Sequence, residues 1–571
     1  MDIGIVGSGP AVDAIEAAMD DLDVRVVAAG SDEFADVGLC FVVGAAGAEA
    51  FGTAADAGAL DRWVAVEIGG VGGHTVESVD AAVSVFTPDS GCYRCLQRRV
   101  AATTEASEDD PSAPTSAVRY AGAVAGRRAT RVLTGEDLGG TVVEVADADV
   151  QRRFQPVPYC GCAGGRDRTL SLDYRETDLD SAVGRAEIAV DDRVGLIEQV
   201  GEQASFPLPY YLASIAGTEG FSDASAAPFA AGAAVDWNEA YMKALGEGLE
   251  RYAAGVYRNA EFRRAPATAL DDAVFPTRFV TSDGYDPDPE AERPWVPGLE
   301  LTSEDGVWLP AEVVQYPPPE RRIKPPITTG LGLGSSTVEA TVSGLSEVIE
   351  RDAAMLAWYS DYEPLGLSVD DEEFRELEKR ARAEELSVSV TLLTQDIDVP
   401  AVAATVHRDD GEWPRFAAGS GAALDPVDAA TGAFAEALQN WTELRDMGPE
   451  QASEEGGAIG EYADFPDRVR ELTHPETTVP AHSVADEAAE FSGEAALDAL
   501  VERVDDAGLT PYAARTTTRD VAALGFEGVR AVIPEAQPLF TAEPFFGDRL
   551  ERVAASMGFA AKPGRAYHPF P

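Results

Sequence analysis

Short apolar runs separated by helix-like stretches fill the first hundred positions. Ile3-Gly4-Ile5-Val6, residues 24–28, residues 40–43 and Trp63-Val64-Ala65-Val66-Glu67 read as buried strands. Gly7-Ser8-Gly9-Pro10-Ala11 reads as a turn and residues 12–19 as the helix after it. Strand, turn, helix and strand in that order predict a Rossmann-like α/β domain with a parallel sheet. Residues 102–115, ATTEASEDDPSAPT, are polar and proline-bearing and predict a loose loop. The first domain closes after Cys160-Gly-Cys162-Ala-Gly-Gly165, giving a domain over 1–170.

From about 180 the texture changes. Alanine-rich helices alternate with β-like runs at 387–393, 402–406 and 528–533, which predicts a larger α+β domain over 180–571. Residues 283–326 are proline-dense and predict a structured excursion with little helix. Residues 448–485, acidic and glycine-bearing, predict an exposed insertion.

Within that second region a glutamate–arginine cassette occurs twice on helix-like sequence. The copies are Glu247-Gly-Leu-Glu250-Arg251 and Glu347-Val-Ile-Glu350-Arg351, the second with Glu339 upstream. Carboxylates three apart share a helix face, and an arginine four after the first acid joins them. Two such faces packed together form a nest of acids that is costly without a cation among them. Magnesium holding a nucleotide phosphate is the obvious candidate. Thr328-Thr-Gly330-Leu-Gly332-Leu-Gly334-Ser335-Ser336 precedes the second cassette; a glycine-rich loop entering a helix offers backbone N–H groups to a phosphate. No Gly-Lys-Ser/Thr is present, so this is not a Walker loop. A third helix over 428–445 carries Glu436 and Gln439.

Charge narrows the setting. The net charge is −56, with 100 acids against 44 Lys plus Arg, and the acids are spread along the whole chain. An acidic face for a basic partner would concentrate them; dispersal fits adaptation to molar salt, where screening acts within roughly 3 Å. Without a basic stripe, nucleic acid is excluded as a partner. No run reaches the ~18 apolar residues of a membrane span, and the N-terminus lacks a secretory pattern, so a cytoplasmic, halophilic protein is expected.

The five cysteines are Cys40, Cys92, Cys95, Cys160 and Cys162. Cys92-Tyr-Arg-Cys95 and Cys160-Gly-Cys162 are two close pairs that suit a closed tetrahedral zinc site; a redox C-x-x-C or four unrelated buried thiols are the alternatives. Cys40 sits in an apolar run and reads as core. Gly7-x-Gly9 is a lone fragment of a dinucleotide fingerprint: Val12 stands where the third glycine belongs, and Ser31-Asp32-Glu33 lies only roughly where the ribose acid would.

The motifs Lys243-Ala-Leu-Gly-Glu247-Gly-Leu-Glu250-Arg251, Gly330-x-Gly332-x-Gly334-Ser335-Ser-x-x-Glu339, Glu347-Val-Ile-Glu350-Arg351 and Ala433-Phe-Ala-Glu436-Ala-Leu-Gln439 resemble the YcaO family, across about 180–571. Asp520-(x3)-Leu-Gly-(x3)-Arg530-Ala-Val-Ile-Pro534 is similar to that family's late strand. The first 170 residues, through Gly91-Cys92-Tyr-Arg-Cys95-Leu-Gln-Arg98 and the Cys160/Cys162 pair, resemble the ThiF-like (ubiquitin-activating-enzyme-like) domain fused ahead of it in azoline-forming cyclodehydratases. The resemblance implies that Cys92, Cys95, Cys160 and Cys162 hold Zn2+ while the glycine turn binds no nucleotide. It implies ATP and Mg2+ at Glu247, Glu250, Arg251, Ser335, Glu339, Glu347, Glu350, Arg351 and Gln439, with Arg351 stabilising transferring charge. Lys243 replaces a usual serine, Ser335 a frequent asparagine, and Gly432 lies where an arginine is common. The end, Tyr567-His-Pro569-Phe-Pro571, keeps two prolines of the azoline-forming branch's tail, which gives Pro571 a catalytic role. With the sequence opening on the ThiF-like strand, the small leader-binding module of many fused relatives is expected to be missing.

The implied activity is ATP-dependent cyclodehydration of Cys, Ser or Thr in a ribosomally made precursor peptide to thiazoline or oxazoline. Thioamidation with external sulfide, as in YcaO enzymes paired with a TfuA-like protein, and a non-catalytic YcaO-like scaffold are the alternatives. Expected partners are the precursor peptide, a separate leader-peptide-binding protein or dehydrogenase, and a second copy of the chain in a homodimer.

Overall fold

The structure, a computed structural model, describes all residues except 21, 29–36, 57–60, 89, 106, 108, 163–164, 455–458, 486–490 and 571. Ser31-Asp32-Glu33 and Pro571 therefore lie outside the described residues. The N-terminal sheet is built from β1 (Asp2–Val6), β2 (Arg25–Ala28), β3 (Leu39–Ala45), β4 (Trp63–Ile68), β7 (Ala81–Phe86), β8 (Thr141–Val145) and β9 (Val150–Arg153), in the order β2-β1-β3-β4-β7-β8-β9. A small hairpin, β5 (Gly70–Val71) and β6 (His74–Thr75), separates β4 from β7.

Residue alternation decides which face each strand residue covers. In β3, Leu39, Phe41 and Val43 pack under α1 (Pro10–Met19) and α4 (Thr115–Leu133). Cys40 and Val42 face α2 (Glu49–Asp56) and α3 (Tyr93–Thr103) instead. Burial lifts the Cys40 thiol to about 12, so it behaves as a core residue. The four strands read from the sequence form the expected parallel sheet, and further strands extend it by antiparallel pairing. Only β2, β1, β3 and β4 are parallel; β4 to β7, β7 to β8 and β8 to β9 are antiparallel. Between β4 and β7 the cause is the connection, a glycine turn with Gly69, Gly70, Gly72 and Gly73 at positive φ instead of a crossover helix.

Beyond α5 (Leu179–Ala186), three strand–helix units carry the acidic motifs. The first is β10 (Ile197–Ala204), β11 (Tyr210–Ile215) and β12 (Phe229–Ala233), an antiparallel sheet leading into α6 (Trp237–Gly255). β13 (Arg263–Ala265) precedes the proline-dense excursion, which contains β14 (Arg293–Glu300), β15 (Gly306–Pro310) and the four-residue α7 (Ala311–Val314), with little helix as its composition suggested. The second unit is β16 (Leu331–Gly334) and α8 (Thr337–Trp358). The third follows β17 (Gly366–Ser368), α9 (Glu372–Ala383), β18 (Ser387–Leu392) and β19 (Ala401–His407): it is β20 (Phe416–Ala422) and α10 (Pro426–Ala452).

Each helix lies close on its own strand. A Cβ at Gly232, Gly332 or Gly421 would meet helix backbone at 2.2, 2.1 and 2.5 Å respectively, so these glycines set the strand–helix spacing.

Two expectations change here. Residues 331–334 form a strand paired with β23 (Glu527–Val532), not an open loop. Residues 448–485 are not an exposed insertion. After a break at Gly448 the chain buries Tyr462, Phe465, Val469 and Leu472, and β21 (Thr478–Pro480) pairs with β17. Apolar residues three or four apart, diluted among acids, carry that packing. The N-terminal and C-terminal regions share one core: Phe51, Tyr93 and Leu96 belong to the same apolar cluster as Leu245, Leu249 and Tyr252 of α6.

Candidate functional site

The three units converge on a cavity of about 850 Å³, within the range of small-molecule sites. Glu247, Glu250 and Arg251 from α6, Glu347, Glu350 and Arg351 from α8, and Glu436, Gln439 and Asn440 from α10 line it. Ser335 and Glu339 line an adjoining cavity of about 700 Å³ that shares Lys243, Glu247 and Glu250 with the first. The cassette residues are thus brought together, with Ser335 and Glu339 one step aside.

In each unit a mid-helix glutamate turns back to a backbone N–H of the strand segment before it. Ala231 donates to Glu247 at 2.6 Å, Gly330 to Glu347 at 2.9 Å and Ser420 to Glu436 at 2.6 Å. The offsets are 16, 17 and 16 residues. This repeated bond fixes each carboxylate at the cavity wall. It also changes the reading of the glycine-rich segment. The N–H groups of Gly330 and Ser335, expected to face a phosphate, are held by Glu347 and, at 2.8 Å, by Glu339.

The carboxylates divide by partner. Glu247 pairs with Arg251 at 2.5 Å. Arg351 lies 3.4 Å from Glu350 and 3.5 Å from Glu436 and donates to Ser420 Oγ at 3.1 Å; Ser420 in turn donates to Glu350 at 2.7 Å. Gln439 donates to Glu443 at 3.0 Å. Among the described residues Glu250 has neither hydrogen bond nor ion pair. Burial first, then the charges of Glu347 and Glu247, push its carboxyl up to about 8. Burial likewise lifts Glu350 to about 7, with Arg351 opposing and Glu436 adding to the rise. Glu247 and Glu436 are also raised, chiefly by burial. Arg530 on β23 is lowered to about 10 by burial and donates to the carbonyls of Ile327 and Thr328 at 2.8 Å each.

An excess of poorly partnered carboxylates whose strand hydrogen bonds hold them in place fits a divalent cation, which relieves their repulsion. The pH dependence follows from the signs. Glu250 and Glu350 titrate higher folded than unfolded. Their contribution to stability is therefore full below about 4.5 and is lost as pH rises through 7 and 8. A cation must displace those protons. Affinity for Mg2+ with a non-hydrolysable ATP analogue is expected to rise between pH 6 and pH 8.5, with proton release at pH 7. Calorimetry in buffers of different ionisation enthalpy checks this; a flat profile with no buffer dependence contradicts it.

Sequence reasoning did not assign site roles to Glu436, Ser420 and Arg530. The signal available for Glu436 was its place sixteen residues after the strand position 420, as Glu247 stands after 231.

The C-terminal segment packs close by. His568 and Phe570 are buried, and His568 Nε2 lies 2.8 Å from the carbonyl of Phe540. Leu539 and Thr541, on either side of Phe540, line the acidic cavity.

The four paired cysteines also come together. Their sulfurs all lie within 4.8 Å of one another. Cys92 is 3.5 Å from Cys160 and 3.8 Å from Cys95, and Cys95 is 3.6 Å from Cys162. Tetrahedral thiolates about 2.3 Å from a zinc ion stand about 3.8 Å apart, whereas a disulfide needs about 2.05 Å. The donor set fits a closed tetrahedral ion. No helix among the described residues is long and apolar enough to cross a membrane.

Comparison with known proteins agrees with this geometry. A family model described as YcaO cyclodehydratase, ATP- and Mg2+-binding, matches residues 231–537, more than half of the 571 residues; the match takes in α6, the second unit and the third, but not β10 and β11. An uncharacterized protein of Methanothermobacter thermautotrophicus is 28% identical over 345 residues, covering 55% of this chain and 82% of that protein. An uncharacterized protein in the tfuA 3′ region of Rhizobium leguminosarum bv. trifolii is 31% identical over 163 residues, 26% of this chain and 38% of that protein. A heterocyclase solved in complex with substrate and cofactor has the same fold, with a TM-score of 0.74 at 19% identity, over 98% of this chain and 83% of that one. The chain belongs to the YcaO cyclodehydratase family of ATP- and Mg2+-binding enzymes.

Proposed function

We propose that this enzyme cyclodehydrates Cys, Ser or Thr residues of a ribosomally made precursor peptide, giving thiazoline or oxazoline rings. The observation that carries the reading is the convergence of Glu247, Glu250, Glu347, Glu350 and Glu436 on one cavity, with Glu250 unpartnered among the described residues. Glu250 and Glu347 would hold Mg2+, with Glu247 and the adjoining Glu339 completing an acidic wall around it. Arg351, poised between Glu350 and Glu436, and Arg251 would face the phosphates, and Ser335 and Gln439 the rest of the nucleotide.

ATP supplies the phosphoryl group that turns a peptide carbonyl oxygen, a poor leaving group, into a good one. The substrate's own thiol or hydroxyl forms the new bond to that carbonyl carbon. Its proton and the amide proton leave, and the oxygen departs as phosphate, so the peptide loses one water. Packing of the C-terminal segment on Phe540 supports a role for the tail, with Pro571, in ordering the reacting amide. The sulfur spacing supports Zn2+ held by Cys92, Cys95, Cys160 and Cys162 in a ThiF-like N-terminal domain over 1–170. The dispersed charge of −56 supports a halophilic source.

The test is mass spectrometry of a Cys/Ser/Thr-rich peptide encoded beside this gene, incubated with enzyme, ATP and Mg2+ in molar salt. Loss of one water per ring with matched phosphate release is expected. A second reading, thioamidation, is favoured by the Rhizobium relative from the tfuA region; it requires sulfide, the carbonyl oxygen leaves as phosphate and sulfur takes its place, so the peptide gains mass instead of losing one water. Absence of peptide-stimulated phosphate release would leave only a scaffold.

The metal content is separately measurable. One zinc per chain is expected, and Cys95→Ser should lose it and lower the thermal midpoint. A metal-free native chain of unchanged stability contradicts the zinc assignment.

A further inference from the structure

A buried polar cluster ties α3, which carries Cys95, to α6, which carries Glu247, Glu250 and Arg251. Arg99 lies on α3 one turn after Cys95 and is fully buried. Its guanidinium pairs with Asp520, also fully buried, and donates to the Tyr252 hydroxyl at 3.2 Å. Tyr252 donates to the same Asp520 carboxylate at 2.6 Å. Tyr252 directly follows Arg251 and stands two residues after Glu250 on α6. On the other side, Arg519, adjacent to Asp520, reaches Cys162 Sγ at 4.0 Å. Two short paths, Cys95 to Arg99 and Cys162 to Arg519–Asp520, thus end on the tyrosine that shares a helical turn with Glu250.

We propose that Arg99, Asp520 and Tyr252 are positioning residues that couple metal occupancy at the four cysteines to nucleotide affinity at the acidic cavity. A tetrahedral ion fixes the start of α3 and the Cys160–Cys162 turn relative to each other. A fully buried charged pair tolerates little displacement, because moving either partner leaves a bare charge in the core. The order imposed at the cysteines is therefore passed to the register of α6, and with it to Glu247, Glu250 and Arg251. The proposal rests on reading the cavity as the Mg2+–ATP site and the cysteines as a zinc site.

Coupling is reciprocal, so it can be read from either end. Affinity for a non-hydrolysable ATP analogue with Mg2+ is measured by calorimetry on the full chain, zinc-loaded and zinc-stripped. Release of zinc to a chromogenic chelator is measured with and without the same nucleotide. In the native chain zinc should tighten nucleotide binding by about 5- to 50-fold, and nucleotide should tighten zinc by the same factor. Tyr252→Phe, which removes one hydroxyl, should reduce both factors towards one while zinc remains bound. The double substitution R99M/D520L, which removes both charges together, should do the same. If the stripped chain or the double variant unfolds, zinc release from native and Tyr252→Phe chains decides. Equal coupling in native and Tyr252→Phe, or none in the native chain, overturns the proposal. Failure of the zinc-loaded native chain to bind the analogue at all overturns the reading of the cavity as well.

Discussion

Glu250→Gln is expected to lower Mg2+-dependent nucleotide binding and peptide-stimulated phosphate release by at least about 100-fold, while stabilising the nucleotide-free protein. The two effects have one origin. Glu250 lies in the acid nest without a hydrogen bond or ion pair among the described residues, and its carboxyl is held near 8 by burial and by Glu347 and Glu247. Above that pH the native enzyme carries an uncompensated charge in its wall. The amide keeps the shape and removes the charge, so the variant should be more stable by about 1–3 kcal/mol at pH 9, and by little at pH 5. Chemical denaturation at both pH values, beside calorimetry with the nucleotide analogue, checks both halves. A variant that binds as the native chain does shows that Glu250 faces no cation.

Arg351→Ala should have the opposite balance. Arg351 is the cation between Glu350 and Glu436, and Ser420 ties the three together. Removing it leaves two carboxylates facing each other in a largely enclosed wall, which costs about 3–5 kcal/mol. Nucleotide turnover should be lost with it. Adding Glu350→Gln and Glu436→Gln to the Arg351→Ala chain should restore most of the stability and none of the turnover. Recovery of turnover in the triple variant would show that Arg351 acts only as a structural counter-ion. An undiminished unfolding midpoint in Arg351→Ala would show that the two glutamates do not depend on it.

The central part of the site was legible because its chemistry is local. Glu247, Glu250 and Arg251 declare themselves within five residues, as do Glu347, Glu350 and Arg351, and helical spacing alone puts each set on one face. What ties the sets together is not local. Ser420 reaches Glu350 across seventy positions, and the strand N–H groups that hold Glu247, Glu347 and Glu436 are sixteen or seventeen residues away from them. The glycines at 330–334 suggested a phosphate loop because glycine serves both turns and close packing. Here Gly332 lets β16 lie against α8.

The fold shows the same division. The continuous apolar runs of β3 and β4 could be read directly as buried strands, and burial of both faces marks a sheet covered on both sides. Strand direction could not, since β7 is buried at all six positions and looks like any internal strand. The clue was the glycine-rich stretch 69–73, too short for a helical crossover. Tyr462, Phe465, Val469 and Leu472 were hidden in an acidic segment because salt-adapted surfaces dilute the apolar signal with carboxylates.

The most direct measurement is anomalous diffraction from crystals grown with Mn2+ and a non-hydrolysable ATP analogue in high salt. Manganese peaks within about 2.0–2.3 Å of carboxylate oxygens of Glu250 and Glu347, with the phosphates towards Arg351, are the expected result. Nucleotide and metal bound elsewhere, with Glu250 still without a ligand and Glu347 still holding the Gly330 N–H, would contradict it.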